Sequence, residues 1–478
     1  MKILGIIQEV LTTPAILVGV VILFGLILQK KPLEYVVKGT SVAMVGFVLL
    51  SAGSDFLQDG ALHDFGVLFN YDFQIQGVIP NMEAVVSLGI AQYATEISEV
   101  MFLGMIANLL IARYSSLRYI FLTGHHTLYM ACLLTVVLYG AGMSRWKVLL
   151  VSSLLLGVCM AFFPALAQKE MEKITGNKKI ALGHFSVLGC LAAAKTADIV
   201  THKIKRSEKR TERSTEEIHF PSKLSFMRDS TVGIFLIMTV IFLLVTGVAA
   251  WRTDLSLLDI SYKEGNYSNW ITYALMQGAE FSAAIYIILA GVRLVIAEIV
   301  PAFKGIAKSV VPDAKPAVDC PILFSYAPNA VMIGFLMSFA GGIFVMLLLA
   351  GINRWSGSAV VPVIVPGVVA HFFCGGSAGV FGNKEGGIRG CVAGAFAEGI
   401  LISVLPVLVM PVLGVLHLSG TTFSDSDFCA VGIILGNSAA ALSENVIMIL
   451  GIVLFLLPIL WEQGKRFYAG KVKKEQER

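Results

Sequence analysis

The sequence predicts an all-α integral membrane protein, and three observations carry that reading. Hydrophobic residues make up 56% of the chain, charged residues only 14%, and apolar runs recur at lengths that cross a bilayer. A soluble domain carries about a quarter charged residues. Lys and Arg cluster at segment ends, so the net charge of +4 reads as the positive-inside bias of a polytopic protein and not as a nucleic-acid footprint. The seven cysteines are scattered without a C-x-x-C pair, which argues against a disulfide framework or a metal knuckle.

On a ruler of roughly 20 apolar residues per crossing, about eleven transmembrane helices are expected. They fall at 11–30, 36–53, 97–112, 119–141, 147–168, 231–250, 270–297, 329–351, 357–373, 391–415 and 443–461. The first lacks a small-residue cleavage site and reads as an uncleaved span. Basic stretches after the first and third spans, in "THKIKRSEKRTERS" from 201, and in "GKRFYAGKVKKEQER" at the end put the N-terminus outside and the C-terminus in the cytoplasm. Arg145 and Lys147 fall on the other side. The expected organisation is a first membrane half (1–200), a charged, solvated cytoplasmic linker (201–230), a second membrane half (231–461) and a basic cytoplasmic tail (462–478).

Two apolar segments are too interrupted to cross: "KKIALGHFSVLGCLAAAKTADIV" (178–200), and the region 316–328, where Pro316, Pro321 and Pro328 each remove a backbone donor. Broken backbone at membrane depth survives only where protein or a water-filled cavity satisfies it, so both are expected to be re-entrant hairpins. A faint internal echo, "IPN" at 79–81 and "APN" at 327–329, each about 45 residues before a histidine (His125, His371), points to an inverted repeat.

Polar groups inside apolar segments are expensive, and three motifs stand out: "LTGHH" (122–126), "LGH" (182–184) and "VDC" (318–320). In each, Gly or Pro frees backbone groups beside a His or Asp. That combination suits a polar, uncharged ligand such as a sugar or polyol, because carboxylate and imidazole exchange hydrogen bonds with hydroxyls. The competing reading is that His125 and His184 are structural, held by backbone carbonyls. Two glycine-flanked histidines together with Asp319 favour the functional one. Glu280, Glu398 and Glu444 read as structural, Arg293 and Glu298 as a pair that neutralises itself or marks the cytoplasmic end of a helix, and Cys320 as an inert buried thiol. The chain has no P-loop, no nucleophile elbow and no H-E-x-x-H, and no cofactor or metal is expected.

These residues also carry a family resemblance. "KGTSVAMVGFVLLSAGS" (38–54), "LTGH" (122–125), "LGH" (182–184), "GVRLVIAEIVPAFKGI" (291–306), "VDCPILFSYAPNAVMIGF" (318–335) and "GVFGNKEGGIRG" (379–390) keep the order found in a known family. The chain resembles the membrane-spanning enzyme IIC component of the bacterial ascorbate-type phosphoenolpyruvate-dependent phosphotransferase system (PTS). The resemblance implies a homodimer in the bacterial inner membrane, with a scaffold domain for dimerisation and a core domain that carries substrate as an elevator. It also implies phosphorylation of the sugar by the phosphocysteine of a separate IIB protein, supplied in turn by IIA. A short basic tail after the last span implies that the phosphoryl donor is another chain.

Carried over residue by residue, the family's substrate contacts fall on Met82, Glu83, His125, His126, Thr127, Leu128, Tyr129, His184, Phe185 and Asp319. Both glycine-flanked histidines and the aspartate match the family pattern. Met82-Glu83 stand where the family has Thr-Tyr, and Tyr129 and Phe185 where it has glutamine. Ascorbate is an anion, and a further carboxylate at Glu83 beside Asp319 would repel it by about 1–4 kcal/mol. The expected cargo is therefore L-ascorbate or a related neutral polyol or sugar, with Asp319 also a candidate for orienting the hydroxyl that is phosphorylated. The alternative is an ion-coupled secondary transporter using Glu280 or Glu398.

Overall fold

The computed structural model describes residues 13–73, 77–205, 213–218, 230–309, 311–416 and 421–476. Five short strands interrupt the helices among these residues, and they decide where the helices end. In chain order the elements are α1 (Pro14–Leu28), α2 (Leu33–Phe56), a π-helical turn (Leu57–Leu62), α3 (His63–Phe73), β1 (Ile79–Pro80), α4 (Met82–Tyr114), β2 (Tyr119–Phe121), α5 (Gly124–Gly140), α6 (Arg145–Thr175), β3 (Ala181–Leu182) and α7 (Val187–Lys205). After the linker come α8 (Ser230–Arg252), α9 (Trp270–Ser309), β4 (Lys315–Val318), α10 (Pro321–Phe324), α11 (Pro328–Ser356), α12 (Val368–Ala370), α13 (Gly376–Val409), β5 (Thr421–Thr422), α14 (Ser426–Ala441) and α15 (Glu444–Gln476).

Seven described helices are long and apolar enough to cross a membrane, or eight if Leu88–Ile97 and Glu99–Tyr114, bent by 57°, form one broken span. This is fewer than about eleven, for local reasons. The run 119–141 spends its first residues in β2, leaving α5 with 17 residues, and α1 has only 15. The run 357–373 is not helical until Val368, because Pro362 and Pro366 interrupt it and Ile364 is drawn into a parallel bridge with Val78.

The strands form two small parallel sheets. In one, β4 lies between β2 and β3, with Phe121 and Ala181 both in register with Ala317. In the other, β1 pairs with β5, and Val78 just before β1 bridges to Ile364. Each sheet thus takes one strand from one half of the chain and its neighbours from the other. Pro316, expected to break a hairpin, lies inside β4, and the segment 178–200 resolves into β3, a tight turn and helix α7.

Helix α4 is capped locally, Asn81 Oδ1 accepting from Ala84 N–H (2.9 Å), whereas α7 and α11 receive carboxylates from distant segments. The fully buried Asp427 accepts from the N–H groups of Val187 (2.9 Å) and Leu188 (2.8 Å), and Ser426 Oγ accepts from Gly189 N–H (2.9 Å). Glu216 does the same for α11, accepting from Asn329 N–H (3.0 Å) and Ala330 N–H (3.1 Å). Each bond removes an unpaired donor, and the two carboxylates also place negative charge at the positive end of a helix. The described part of the linker is therefore not simply solvated. Thr215 is buried, its N–H donates to Asn383 Oδ1, and the Arg213 carbonyl accepts from Ile388 N–H beside the Gly386–Gly387 break in α13.

Helices α1, α2, α8 and α9 pack on one another, while α4 to α7 pack with α11, α13 and α14 in a second group. Small residues let the helices approach closely. A Cβ on Gly334 would lie 2.4 Å from the Gly375 carbonyl, and one on Gly399 would lie 2.0 Å from that of Ser338. All seven cysteines are free and buried. Arg293 and Glu298 form no ion pair among the described residues; five positions apart, they lie on different sides of α9.

Replacing Asp427 by Ala leaves two buried N–H groups at the start of α7 without an acceptor and should lower stability by about 2–3 kcal/mol. Denaturant unfolding of the purified protein checks this; an unchanged midpoint would mean that other groups satisfy that helix end.

Candidate functional site

The three polar motifs leave the C-terminal ends of the three strands of one sheet. β2 runs into Thr123, Gly124, His125 and His126; β3 into Gly183 and His184; β4 into Asp319 and Cys320. Backbone pairing sets their spacing: Leu122 N–H donates to the Ala317 carbonyl (2.9 Å) and Gly183 N–H to that of Val318 (2.7 Å). Gly183 is required here, since a Cβ would lie 2.4 Å from the Ala317 carbonyl oxygen. Residues nearly 200 positions apart in sequence are thereby brought to hydrogen-bonding scale.

Asp319 is the centre of the group. Its Oδ1 accepts from Cys320 N–H at 2.7 Å, which fixes the carboxylate, and its Oδ2 is 3.4 Å from His125 Nε2. His184, only 4% exposed, sets its Nε2 3.9 Å from Asp319 Oδ1 and 4.0 Å from Asp425 Oδ2. Those separations are about 1 Å longer than a hydrogen bond, so the imidazole faces two carboxylates without bonding directly to either. His126 stacks on Phe428 with ring centroids 5.4 Å apart and lies 3.9 Å, centroid to centroid, from His184.

The second sheet delivers the opposite wall. Asn81 and Met82 follow β1, Gly367 follows the Ile364 bridge, and Ser424 and Asp425 follow β5; all line the same cavity of about 700 Å³. The volume is in the range of small-molecule sites. Its charged lining is one-sided: Asp55, Asp59, Asp319 and Asp425 contribute carboxylates, and no Lys or Arg is among the described lining residues.

Of the residues expected at the site, Met82, His125, His126, Tyr129, His184 and Asp319 line this cavity. Thr127, Leu128 and Phe185 do not. The Thr127 hydroxyl donates to the Thr123 carbonyl, Leu128 packs on the core, and Phe185 is fully buried and stacked on Phe121. Phe185 contributes through its backbone, its N–H donating to His126 Nδ1 (3.4 Å). The Glu83 side chain lies outside the described residues. Asp425 was missed by the sequence reading, although "TTFSDSDF" places two carboxylates between apolar helices. Glu398 is also fully buried but stands apart from the cavity lining: Ser338 Oγ lies 2.7 Å from both Glu398 Oε2 and His371 Nδ1, tying α11 to α13. Glu280 accepts from Gln277 on the same helix.

Among the described residues three donor sets have metal-compatible spacing: His125, His126 and Asp319; His126, His184 and Asp425; His184, Asp319 and Cys320. Two of them need His126. Its Nδ1 accepts a backbone N–H, which puts the ring proton on Nε2 and makes that nitrogen a donor into the cluster. The third needs a buried thiol to ionise. The arrangement is better matched to hydroxyl groups, which accept from imidazole N–H and donate to carboxylates.

Comparison with known proteins agrees with this chemistry. Residues 9–427 match the family EIIC-GAT, described as the PTS system sugar-specific permease component. The chain belongs to that family. Among curated proteins, the chain is similar to the ascorbate-specific PTS system EIIC component of Mycoplasma pneumoniae (strain ATCC 29342 / M129 / Subtype 1), at 27% identity over 422 residues. The match covers 79% of this chain and 62% of that relative, so the chain spans under two thirds of the relative's length.

Gly183→Ala should force β3 away from β4 and move His184 off Asp319. The expected result is faster amide exchange at Leu122 and residue 183 than in the wild-type permease. Unchanged protection at both amides would show that the sheet tolerates a Cβ there.

Proposed function

We propose that the protein is the IIC permease of a phosphoenolpyruvate-dependent sugar phosphotransferase system whose cargo is a neutral polyol or sugar. The observation that carries the substrate class is the cavity lining, which combines four carboxylates and imidazoles with no Lys or Arg among the described residues. Each carboxylate near 4 Å would raise the energy of a bound anion by about 1–4 kcal/mol, whereas hydroxyl groups meet acceptors on several sides. The curated relative is named ascorbate-specific. Ascorbate has the right size but carries a negative charge into an acidic cavity. Met82 and Tyr129 add apolar surface for a sugar face.

In this reading Asp319 accepts hydrogen bonds from substrate hydroxyls and orients the one that attacks the phosphocysteine of a separate IIB protein, itself supplied by IIA. His125 and His184 hold the ligand on either side of Asp319, and His126 donates from Nε2. The interleaved sheets support two inverted repeats, because the strand pairing in one sheet mirrors that in the other with the halves exchanged. The two helix groups support a division into a scaffold (α1, α2, α8, α9), which forms the homodimer, and a core that moves with the substrate as an elevator. The permease resides in the bacterial cytoplasmic membrane, N-terminus outside and C-terminus inside.

The test is binding of ascorbate, pentitols and hexitols to the purified permease and to Asp319→Asn. A neutral polyol should bind at least about tenfold more tightly than ascorbate, and the substitution should weaken that binding by about tenfold or more, as expected for loss of a hydrogen bond to a charged group. Equal affinity for ascorbate would overturn the substrate class. Uptake that persists without phosphotransferase proteins and collapses with a protonophore would overturn the mechanism in favour of an ion-coupled transporter.

A further inference from the structure

We propose that Asp425 is a second substrate carboxylate, facing Asp319 across His184, and that the pair makes the permease select for hydroxyl donors against anions. The inference rests on the reading that this cavity takes a carbohydrate. Asp425 occupies the position just before α14, where an aspartate ordinarily caps the helix, yet its side chain makes no capping bond there. It belongs to the cavity wall instead, 1% exposed, with Ser424 Oγ donating to Oδ1 at 3.0 Å and Oδ2 directed to His184 Nε2 at 4.0 Å.

The geometry around His184 is nearly symmetric, with the Asp319 carboxylate 3.9 Å from the same nitrogen. The other ring nitrogen, Nδ1, is buried without a hydrogen-bond partner among the described residues, so the ring proton belongs on Nε2, facing the carboxylates. A hydroxyl oxygen placed in either gap accepts from that N–H and donates its own proton to a carboxylate. Two neighbouring hydroxyls of a polyol can serve both carboxylates at once. A carboxylate or enolate oxygen of an acidic sugar has no proton to donate and meets two negative groups. Asp319 reaches this place through one sheet and Asp425 through the other, so the ligand would bridge segments from both halves of the chain.

The experiment measures binding of a hexitol and of the aldonate with the same carbon skeleton to wild-type, Asp425→Asn and Asp425→Glu permease, each first checked for monodispersity and thermal unfolding. Asp425→Asn should weaken hexitol binding by about tenfold, as for loss of a bond to a charged acceptor, and shift the hexitol-to-aldonate ratio toward the acid. Asp425→Glu should recover part of both. A role in folding alone would change stability without moving that ratio. Wild-type affinity and ratio in Asp425→Asn, with binding lost in Asp319→Asn, would overturn this inference and leave the proposed function standing. Absence of carbohydrate binding by the wild-type permease would overturn both. If Asp425→Asn fails to fold, Ser424→Ala, which frees the Asp425 carboxylate from its orienting hydroxyl, decides: a smaller loss with the same shift in ratio supports the inference, and no change overturns it.

Discussion

Everything at the centre of this protein depends on the backbone pairing of β4 with β2 and β3. The bonds from Leu122 to Ala317 and from Gly183 to Val318 hold three chain segments at one spacing, and the side chains that follow each strand inherit it. Strand pairing brings the backbones themselves closer than helix packing does. Interaxial distances between packed helices are about 8–10 Å, whereas neighbouring strands lie about 4.8 Å apart. The small sheets thus provide a finer ruler in the middle of a helical protein, at a point where broken helices have backbone donors and acceptors that need partners.

That need also explains the carboxylates delivered from afar. Unpaired N–H groups at a helix start are tolerated in water but not in a packed interior. Asp427 and Glu216 satisfy two such starts from segments remote in sequence, so the positions of α7 and α11 are tied to the second half and to the linker respectively. The "SDSD" stretch divides its labour accordingly: Asp427 closes a helix, while Asp425, two residues earlier, stays at the cavity wall.

The membrane character, the longer helices and the three polar motifs were all legible in the sequence, because a His or Asp inside an apolar run is conspicuous. His125, His184 and Asp319 do converge. The strands were not legible, since segments of two to four residues leave no alternating pattern to read. This is why 357–373 looked like a span and why Pro316 looked like a break rather than part of β4. Asp425 was missed for a related reason: its neighbours suggest a polar loop, and it is long-range pairing, of Thr421 with Ile79 and of Ser426 and Asp427 with residues 185–189, that brings that loop to His184. Phe185 shows the opposite error, in which a site position contributes its N–H while its ring fills the core.

Charge is the property on which the site and the nearest family expectation diverge. A site for an anion ordinarily contributes a cation or a cluster of inward N–H donors. Here the Cys320 N–H is already committed to Asp319, the Phe185 N–H to His126, and the Val187 and Leu188 N–H groups to Asp427. The donors that line the ligand space are neutral, imidazoles beside Gln58, Asn70, Asn81 and Tyr129, and no Lys or Arg among the described lining residues offsets the four carboxylates. A ligand that both donates and accepts at each oxygen fits that balance, and a polyol does so along its whole length. In the proposed reading it is this lining, more than 27% identity to a relative, that argues for such a cargo.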